Sequence, residues 1–346
     1  MIDADCKMLW LMLIIDIMKV QAYRDFGAIG RENSMEKEQK VDGKDASIKQ
    51  SKEASNASNQ QTDGEPSAEQ GYTASQQGRR LKEKMGIARY ILKYIIQDDM
   101  SIFLDAGSTV EQVGHVLFNE QDKLNHYRQG LTILTNNMLV FEEFTKPELS
   151  FQMSDRGNVL ALTGGAYNRN HKALFGPTVE EVLKAVCPVV VVIGTSGLIV
   201  EAEQKDTQPK TESQLLSGIF NHDLVSEGAT KKAIAKKRTY HRVIVCDYSK
   251  IGIWDSSLFA SITDLANHTE KCTIVTSVVP NPLYPYDMDQ EYQNAGAGTA
   301  QISQYEKRYS AVKSALGLIG SSRIEIVQVD YEGNEYKAKK DENKTS

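Results

Sequence analysis

The stretch Ile102–Thr109, IFLDAGST, decides how the rest of the chain is read. Its apolar opening has the length and character of a short buried strand, and Asp105 stands where that strand ends. Gly107 permits a tight bend and a close backbone approach to a ligand. Ser108 and Thr109 open a helix, bringing hydroxyls and unpaired backbone N–H groups to one place. A helix start of this kind attracts anions, phosphate above all. The plainer reading is that a strand–glycine–helix turn only joins two elements, so the decision falls to the flanking sequence.

Working outward, the pattern recurs. LTILTNN (Leu131–Asn137), LALTGGAYNRNHKALFGP (Leu160–Pro177), VVVVIGTSGL (Val189–Leu198), SEGATKKAI (Ser226–Ile234) and VIVCDYSKIG (Val243–Gly252) follow in order. Most pair an apolar run with a small polar turn. Patterning predicts strands near 101–105, 131–135, 158–163, 188–194, 242–247, 272–277 and 324–329. It predicts helices near 109–119, 137–145, 178–186, 226–238, 256–266 and 302–318. Continuous apolar strands such as Val189–Ile193 are buried on both faces, which calls for a parallel sheet covered by helices. The fold class is therefore α/β: an open, mostly parallel sheet with helices on both faces and a ligand crevice at the carboxyl ends of its strands. Ahead of it, Leu81, Met85, Ala88, Leu92 and Ile95 make one apolar helical stripe. That stripe either docks on the sheet or forms a dimer seam.

The chain has 346 residues, a net charge of −6 and a pI of about 5.7. That balance gives no general attraction to nucleic acid. Residues 31–77 contain no Leu, Phe or Trp and are expected to be a disordered polar linker. Residues 1–30 hold a short apolar segment, Met8–Met18 broken by Asp16, which reads either as a short amphipathic or buried helix or as an artefact of the chosen start codon. It falls short of the roughly 20 residues that span a bilayer, and Asp3 and Asp5 suit a secretory leader poorly. No membrane partner is expected. Residues 78–335 read as one domain and 336–346 as a disordered tail. Glu201–Ser217 and Asn281–Ala300 read as polar insertions. Cys6, Cys187, Cys246 and Cys272 form no C-x-x-C pair and read as reduced thiols of a cytoplasmic protein. The histidines stand at no ligand spacing from them, so neither a metal nor a cofactor is expected.

In order and spacing these blocks resemble the C-terminal sensor domain of the DeoR family of bacterial sugar-metabolism repressors. The lead-in RRLKEKMGIARYILKYIIQDDMSIFLDAGST is similar to that family's linker helix entering its first sensor strand. The resemblance covers roughly residues 78–280, with a weaker echo to about 330. It implies the fold shared with ribose-5-phosphate isomerase, glucosamine-6-phosphate deaminase and CoA transferases. It also implies a phosphorylated sugar, or a similar small anionic metabolite, as ligand, and a homo-oligomer.

The candidate ligand groups fall almost entirely after strand ends: Asp105, Gly107, Ser108 and Thr109; Thr135, Asn136 and Asn137; Gly164 and Gly165; Gly194; Asp247 and Lys250. A phosphosugar needs N–H and hydroxyl donors around its phosphate, a nearby cation, and carboxylates or amides for its hydroxyls. Each type is present. Each residue also has a plainer role. Asp105 and the two asparagines suit helix caps, and Gly164–Gly165 suits a simple turn. Glu227 and Lys231, four apart, suit a surface ion pair, although the family pattern puts this Glu and Lys at the ligand crevice. Asp247-Tyr248-Ser249-Lys250 matches the family's D-x-S-K block. The basic run Lys231, Lys232, Lys236, Lys237, Arg238, His241 and Arg242 reads as a solvated helix face rather than a nucleic-acid surface.

Two departures stand out. Residues 1–77 hold nothing like the family's winged helix-turn-helix or its T-I-R-R-D-L recognition helix, so direct nucleic-acid binding does not carry over. Cys187-Pro188 also stands where family members usually have Asp. The sequence thus points to a sensor domain without its own DNA-binding module. The alternatives are an aldose–ketose isomerase or CoA transferase-like enzyme, with Asp105, Glu227 or Asp247 as base and Lys231 or Lys250 as electrophile, or a scaffold that binds nothing.

Overall fold

The computed structural model describes residues 80–200, 218–221, 227–255, 257–278, 299–319 and 322–336. These lie in one compact unit, residues 72–346. The expected N-terminal segment, the polar linker, the insertion 201–217 and most of 281–300 and of the tail lie outside the described residues.

In chain order the elements are α1 (Leu81–Tyr94), β1 (Ser101–Leu104), α2 (Ser108–Asn119), β2 (Thr132–Thr135), α3 (Met138–Phe144), α4 (Pro147–Asp155) and β3 (Val159–Leu162). A hairpin, β4 (Ala166–Asn168) and β5 (Ala173–Phe175), precedes α5 (Pro177–Ala185), β6 (Val190–Gly194) and β7 (Gly197–Ile199). Then come β8 (Gly218–Asn221), α6 (Glu227–Ala235), β9 (Thr239–Cys246) and a 3-10 turn, Tyr248–Lys250. The chain continues through β10 (Ser257–Ser261), α7 (Ile262–Ala266), β11 (Thr269–Ser277), α8 (Thr299–Ile319) and β12 (Ile324–Val329).

The main sheet has seven strands in the order β12-β11-β9-β6-β1-β2-β3, and every neighbouring pair is parallel. The chain builds outward from β1 through β2 to β3. It then crosses to the far side of β1 and builds outward again through β6, β9, β11 and β12. The order therefore reverses between β1 and β6, and in open α/β sheets a crevice opens at the carboxyl ends of such a pair. The expected α/β class agrees with this architecture.

Alternation along each strand explains burial on both faces. Ile102, Leu104, Val190, Val192, Val243 and Val245 share one core with Ile87, Ile91 and Leu92 of α1 and Val113, Val116 and Leu117 of α2. Phe103, Val191, Ile193 and Ile244, pointing the other way, are equally buried. The α1 stripe thus docks on the sheet through Ala88, Leu92 and Ile95, while Leu81 stays 44% exposed.

Three local expectations need correction. The helix predicted over 256–266 is strand β10 followed by α7. Ser257–Ser261 pairs antiparallel with β8, and β8 pairs with β7, giving a small second sheet. That pairing joins segments far apart in sequence, so local periodicity does not reveal it. Helix α7 begins only at the capping box of Ser261 and Asp264. Helix α4, led by Pro147 in its first turn, and hairpin β4–β5 were not expected. Cys246 and Cys272 are buried free thiols, and burial pushes Cys272 up to about 12. Cys187 departs from the reduced reading: it is disulfide-bonded.

The basic run divides. Lys232, Lys236 and Arg238 are exposed, but Arg242 on β9 is wholly buried. Among the described residues its guanidinium makes no hydrogen bond to a carboxylate, although the nearby Asp264 carboxylate favours its charge. It donates instead to the carbonyls of Asp264 (3.2 Å), Leu265 (2.5 Å) and Asn267 (3.0 Å) at the end of α7, and of Lys237 (2.7 Å) beyond α6. Carbonyls at helix carboxyl ends carry partial negative charge, so they offset a buried cation. Replacing Arg242 with Met should lower the unfolding free energy by about 3 kcal/mol, because these carbonyls lose their donor. Urea denaturation measures this, and a loss below about 1 kcal/mol would remove Arg242 as an anchor.

Candidate functional site

The site forms where β1 ends against β6. The backbone of Asp105 stays in the sheet, its N–H donating to the Val192 carbonyl at 3.0 Å. Gly107 then takes φ 131° and ψ 151°, a conformation side-chain-bearing residues rarely adopt, and turns the chain into α2. The first helical bond runs from Glu111 N to Gly107 O at 2.9 Å. The amides of Ser108, Thr109 and Val110 therefore precede the helical ladder and open at its positive end.

Asp105 is fully buried, and its partner comes from a distant element. Lys231 of α6 places Nζ 2.5 Å from Asp105 Oδ2. Its remaining protons go to the carbonyls of Gly194 (3.2 Å) and Ala106 (3.4 Å). All its donors are thus spent on the loops that follow β1 and β6. Asp105 Oδ1 is buried without a hydrogen-bond partner, and so is Asn136 Oδ1.

The next strand completes the floor. Thr135 donates its hydroxyl to Leu104 O at 2.7 Å and receives the Asn137 amide at 2.9 Å. Asn137 caps α3 by accepting from Leu139 N at 3.1 Å. Its Nδ2 donates to the carbonyls of Asp105 and Gly107, each at 3.3 Å. Asn136 donates Nδ2 to Leu174 O at 3.2 Å, and its carbonyl receives Leu174 N at 2.8 Å. So Asn137 caps, as the plainer reading has it, and also braces the 105–107 loop.

Hairpin β4–β5 lies beside this floor. Gly164 and Gly165 both have positive φ, and a Cβ on Gly165 would stand 2.7 Å from Phe175 O, so the glycine pair makes the turn into the hairpin. Glu227 is 2% exposed, and its Oε1 lies 3.0 Å from Nδ1 of His171 on the hairpin. Thr230 accepts the Gly176 amide at 3.0 Å. Glu227 and Lys231 therefore do not pair with each other on the surface: both point inward, to different partners. Sequence reasoning missed His171 and Thr230, although both lie inside the quoted blocks; nothing in their spacing links 171 to 227. Beside the hairpin, an open cavity of about 360 Å³ is lined by residues 166–170 with Phe175 and Gly176.

Asp247 and Lys250 stand apart from this cluster. The Asp247 carboxylate accepts from Ser249 N at 3.0 Å and from the Ser249 hydroxyl, and lies 3.7 Å from Arg80 Nε. Arg80 also lies over the Tyr248 ring, 5.5 Å from its centroid. Lys250 is half-buried. The structure thus gathers Asp105, Gly107, Ser108, Thr109, Thr135, Asn136, Asn137, Gly194 and Lys231 at one place. Gly164, Gly165 and Glu227 frame the adjoining hairpin, and Asp247 engages the start of α1. Among the described residues, no cluster of His, Cys, Asp and Glu could hold a metal ion. No described helix is long and apolar enough to cross a membrane.

A family profile described as the DeoR C terminal sensor domain matches residues 79–270. The HTH-type transcriptional regulator GlpR of Haloferax volcanii is 26% identical over 187 residues, 54% of this chain and 60% of that protein. Ribose 5-phosphate isomerase from Plasmodium falciparum matches 48% of this chain and 51% of its own, at 14% identity and a TM-score of 0.23. Ribose 5-phosphate isomerase A from Methanocaldococcus jannaschii matches 48% and 52%, at 14% identity and a TM-score of 0.25. The chain thus spans about three fifths of the curated relative and about half of each of these structures.

Removing Lys231 alone leaves a buried carboxylate with no counter-charge. Lys231→Met should therefore cost about 3–5 kcal/mol of stability. Adding Asp105→Asn should restore much of it, since the double variant holds no uncompensated charge. A double-mutant cycle in urea measures the coupling, and strict additivity would show that the pair is not the unit that holds these loops.

Proposed function

The chain belongs to the family of DeoR C-terminal sensor domains, and from that premise we propose that it binds a phosphorylated sugar, or a similar small anionic metabolite, in the crevice between β1 and β6. One observation carries this reading. Two kinds of unsatisfied group support it: the opening amides of α2, and the buried acceptors Asp105 Oδ1 at the end of β1 and Asn136 Oδ1 at the end of β2. The amides suit a phosphate. The acceptors call for hydroxyl donors, since a buried polar atom without a partner costs about 1–3 kcal/mol. A phosphosugar supplies both in one molecule.

Lys231 makes the arrangement compatible with an anion. A bare Asp105 carboxylate beside the helix start would repel a phosphate, and the ammonium group cancels that charge. Lys231 and Asp105 then act by holding the loops of Gly107 and Gly194 in place. Ser108 and Thr109 add hydroxyls at the phosphate. Thr135 and Asn137 brace the floor; Glu227, Gly164 and Gly165 shape the hairpin wall. Lys231 is fully engaged with oxygens of its own chain, which suits ligand sensing better than an electrophile for carbonyl chemistry. A few charged hydrogen bonds of about 1.5–3 kcal/mol each, less the association cost, give affinities in the micromolar to millimolar range. The module would work in the cytoplasm as an oligomer, or with a partner that carries the output of a transcriptional regulator.

A thermal-shift panel of sugar phosphates and their free sugars tests this. A ligand at 100 times its dissociation constant adds about 2.7 kcal/mol of stability. The expected result is a rise in melting temperature with one phosphosugar and none with its free sugar. Ser108→Glu puts a carboxylate in the first turn of α2, which favours the helix but repels the anion. That variant should melt no lower than the wild type and lose the ligand shift. A flat panel, or an undiminished shift in Ser108→Glu, would sink the reading.

A further inference from the structure

The first turns of α1 and α2 meet in a buried cluster of charges. Lys84 of α1 is 3% exposed, and burial is the main force against its charge; the carboxylates of Asp247 and Glu111 are what favour it. Glu111 follows the opening amides of α2 directly, and its Oε2 is buried without a hydrogen-bond partner. It faces Lys84 from α1 and Glu142 and Glu143 from α3. His115, one turn along α2, is engaged by Glu143 at 3.0 Å. Arg80 and Lys250 also act on Lys84, each disfavouring its charge. One carboxylate thus stands between the proposed anion site and the buried ammonium group of α1.

We propose that Glu111 couples the crevice to α1. An anion at the start of α2 draws a proton from solvent onto Glu111, and Lys84 loses one of the two carboxylates that hold it, so α1 loosens. This rests on the anion site proposed above. The direction follows from charge. A second negative group nearby disfavours ionised Glu111, so a bound anion raises its proton affinity. By linkage, protonation strengthens anion binding, which therefore tightens as pH falls. Burial already lifts Glu111 to about 7, so the change falls near neutral pH.

Inorganic sulfate is the probe, because its charge is constant over the range and any pH dependence belongs to the protein. Binding is measured from pH 6 to pH 8.5 at fixed ionic strength, with Ser108→Glu as the blank for general salt effects. Wild-type affinity should rise about tenfold on going to pH 6, the effect of a shift of about one pKa unit. Glu111→Gln should bind with the wild type's low-pH affinity at every pH. In hydrogen exchange at pH 8, sulfate should speed amides 81–94 of the wild type. In Glu111→Gln the same amides should be fast already and indifferent to sulfate. PH-independent binding by the wild type overturns the coupling, as does a pH dependence that survives Glu111→Gln or exchange of α1 that ignores sulfate. Wild type binding no more sulfate than Ser108→Glu is a separate failure: it overturns the anion site, and the coupling falls with it.

Discussion

The contact between Lys231 and Asp105 is the constraint on which the site depends. Both groups are almost wholly buried, and taking each ion from water costs several kcal/mol. Such a pair holds only when geometry and further hydrogen bonds repay that cost. Here the ammonium group finds a carboxylate oxygen at 2.5 Å and the carbonyls of Gly194 and Ala106 besides. Those oxygens come from the loops that end β1 and β6, and the lysine comes from α6. A single side chain thus fixes three elements at the point where the strand order reverses. It also leaves the floor of the crevice without net charge, the condition under which the positive end of α2 can act on an anion.

Most of the main sheet was legible because its strands are short apolar runs ended by small polar turns. Val190–Gly194 needs no distant information to be read as buried on both faces. The small antiparallel sheet was not legible. The residues of β10, Ser257–Ser261, carry no strong periodicity, and their strand state is fixed by β8, which lies beyond α6 and β9 in the chain. Ser261 and Asp264 show how narrowly the helical expectation erred: the cap that starts α7 is local and real, but it begins where β10 ends.

The site was legible by residue and not by role. Asp105, Asn137 and Lys231 stand out as polar groups at strand ends or at helical spacing, yet a sequence does not say which of them satisfy one another. Glu227 and Lys231 are the clearest case. Four residues apart, they look like a surface pair, but α6 turns that face inward and gives each its own partner, His171 and Asp105. The hairpin carrying His171 is short and polar, so no periodic signal marks it. Asp247 shows the converse. It matches a ligand block in sequence, while its carboxylate caps a 3-10 turn and reaches Arg80.

Three buried cations among the described residues of a chain with a net charge of −6 need a common cause. Lys231, Arg242 and Lys84 each lie where strand or helix ends bring oxygens together. Arg242 uses carbonyls alone, Lys231 uses a carboxylate and two carbonyls, and Lys84 is favoured by carboxylates. The last carbonyls of a helix, and those of the turns beside strand ends, lack ladder partners, so oxygens collect at such ends. A cation answers many of them at once, whereas an apolar side chain would leave each unpaired. The difference among the three lies in what can be reversed. Carbonyls do not titrate near neutral pH, so Arg242 is a fixed anchor. A carboxylate loses its charge when it takes a proton, and Lys84 is favoured by two, Asp247 and Glu111, the second in the first turn of α2.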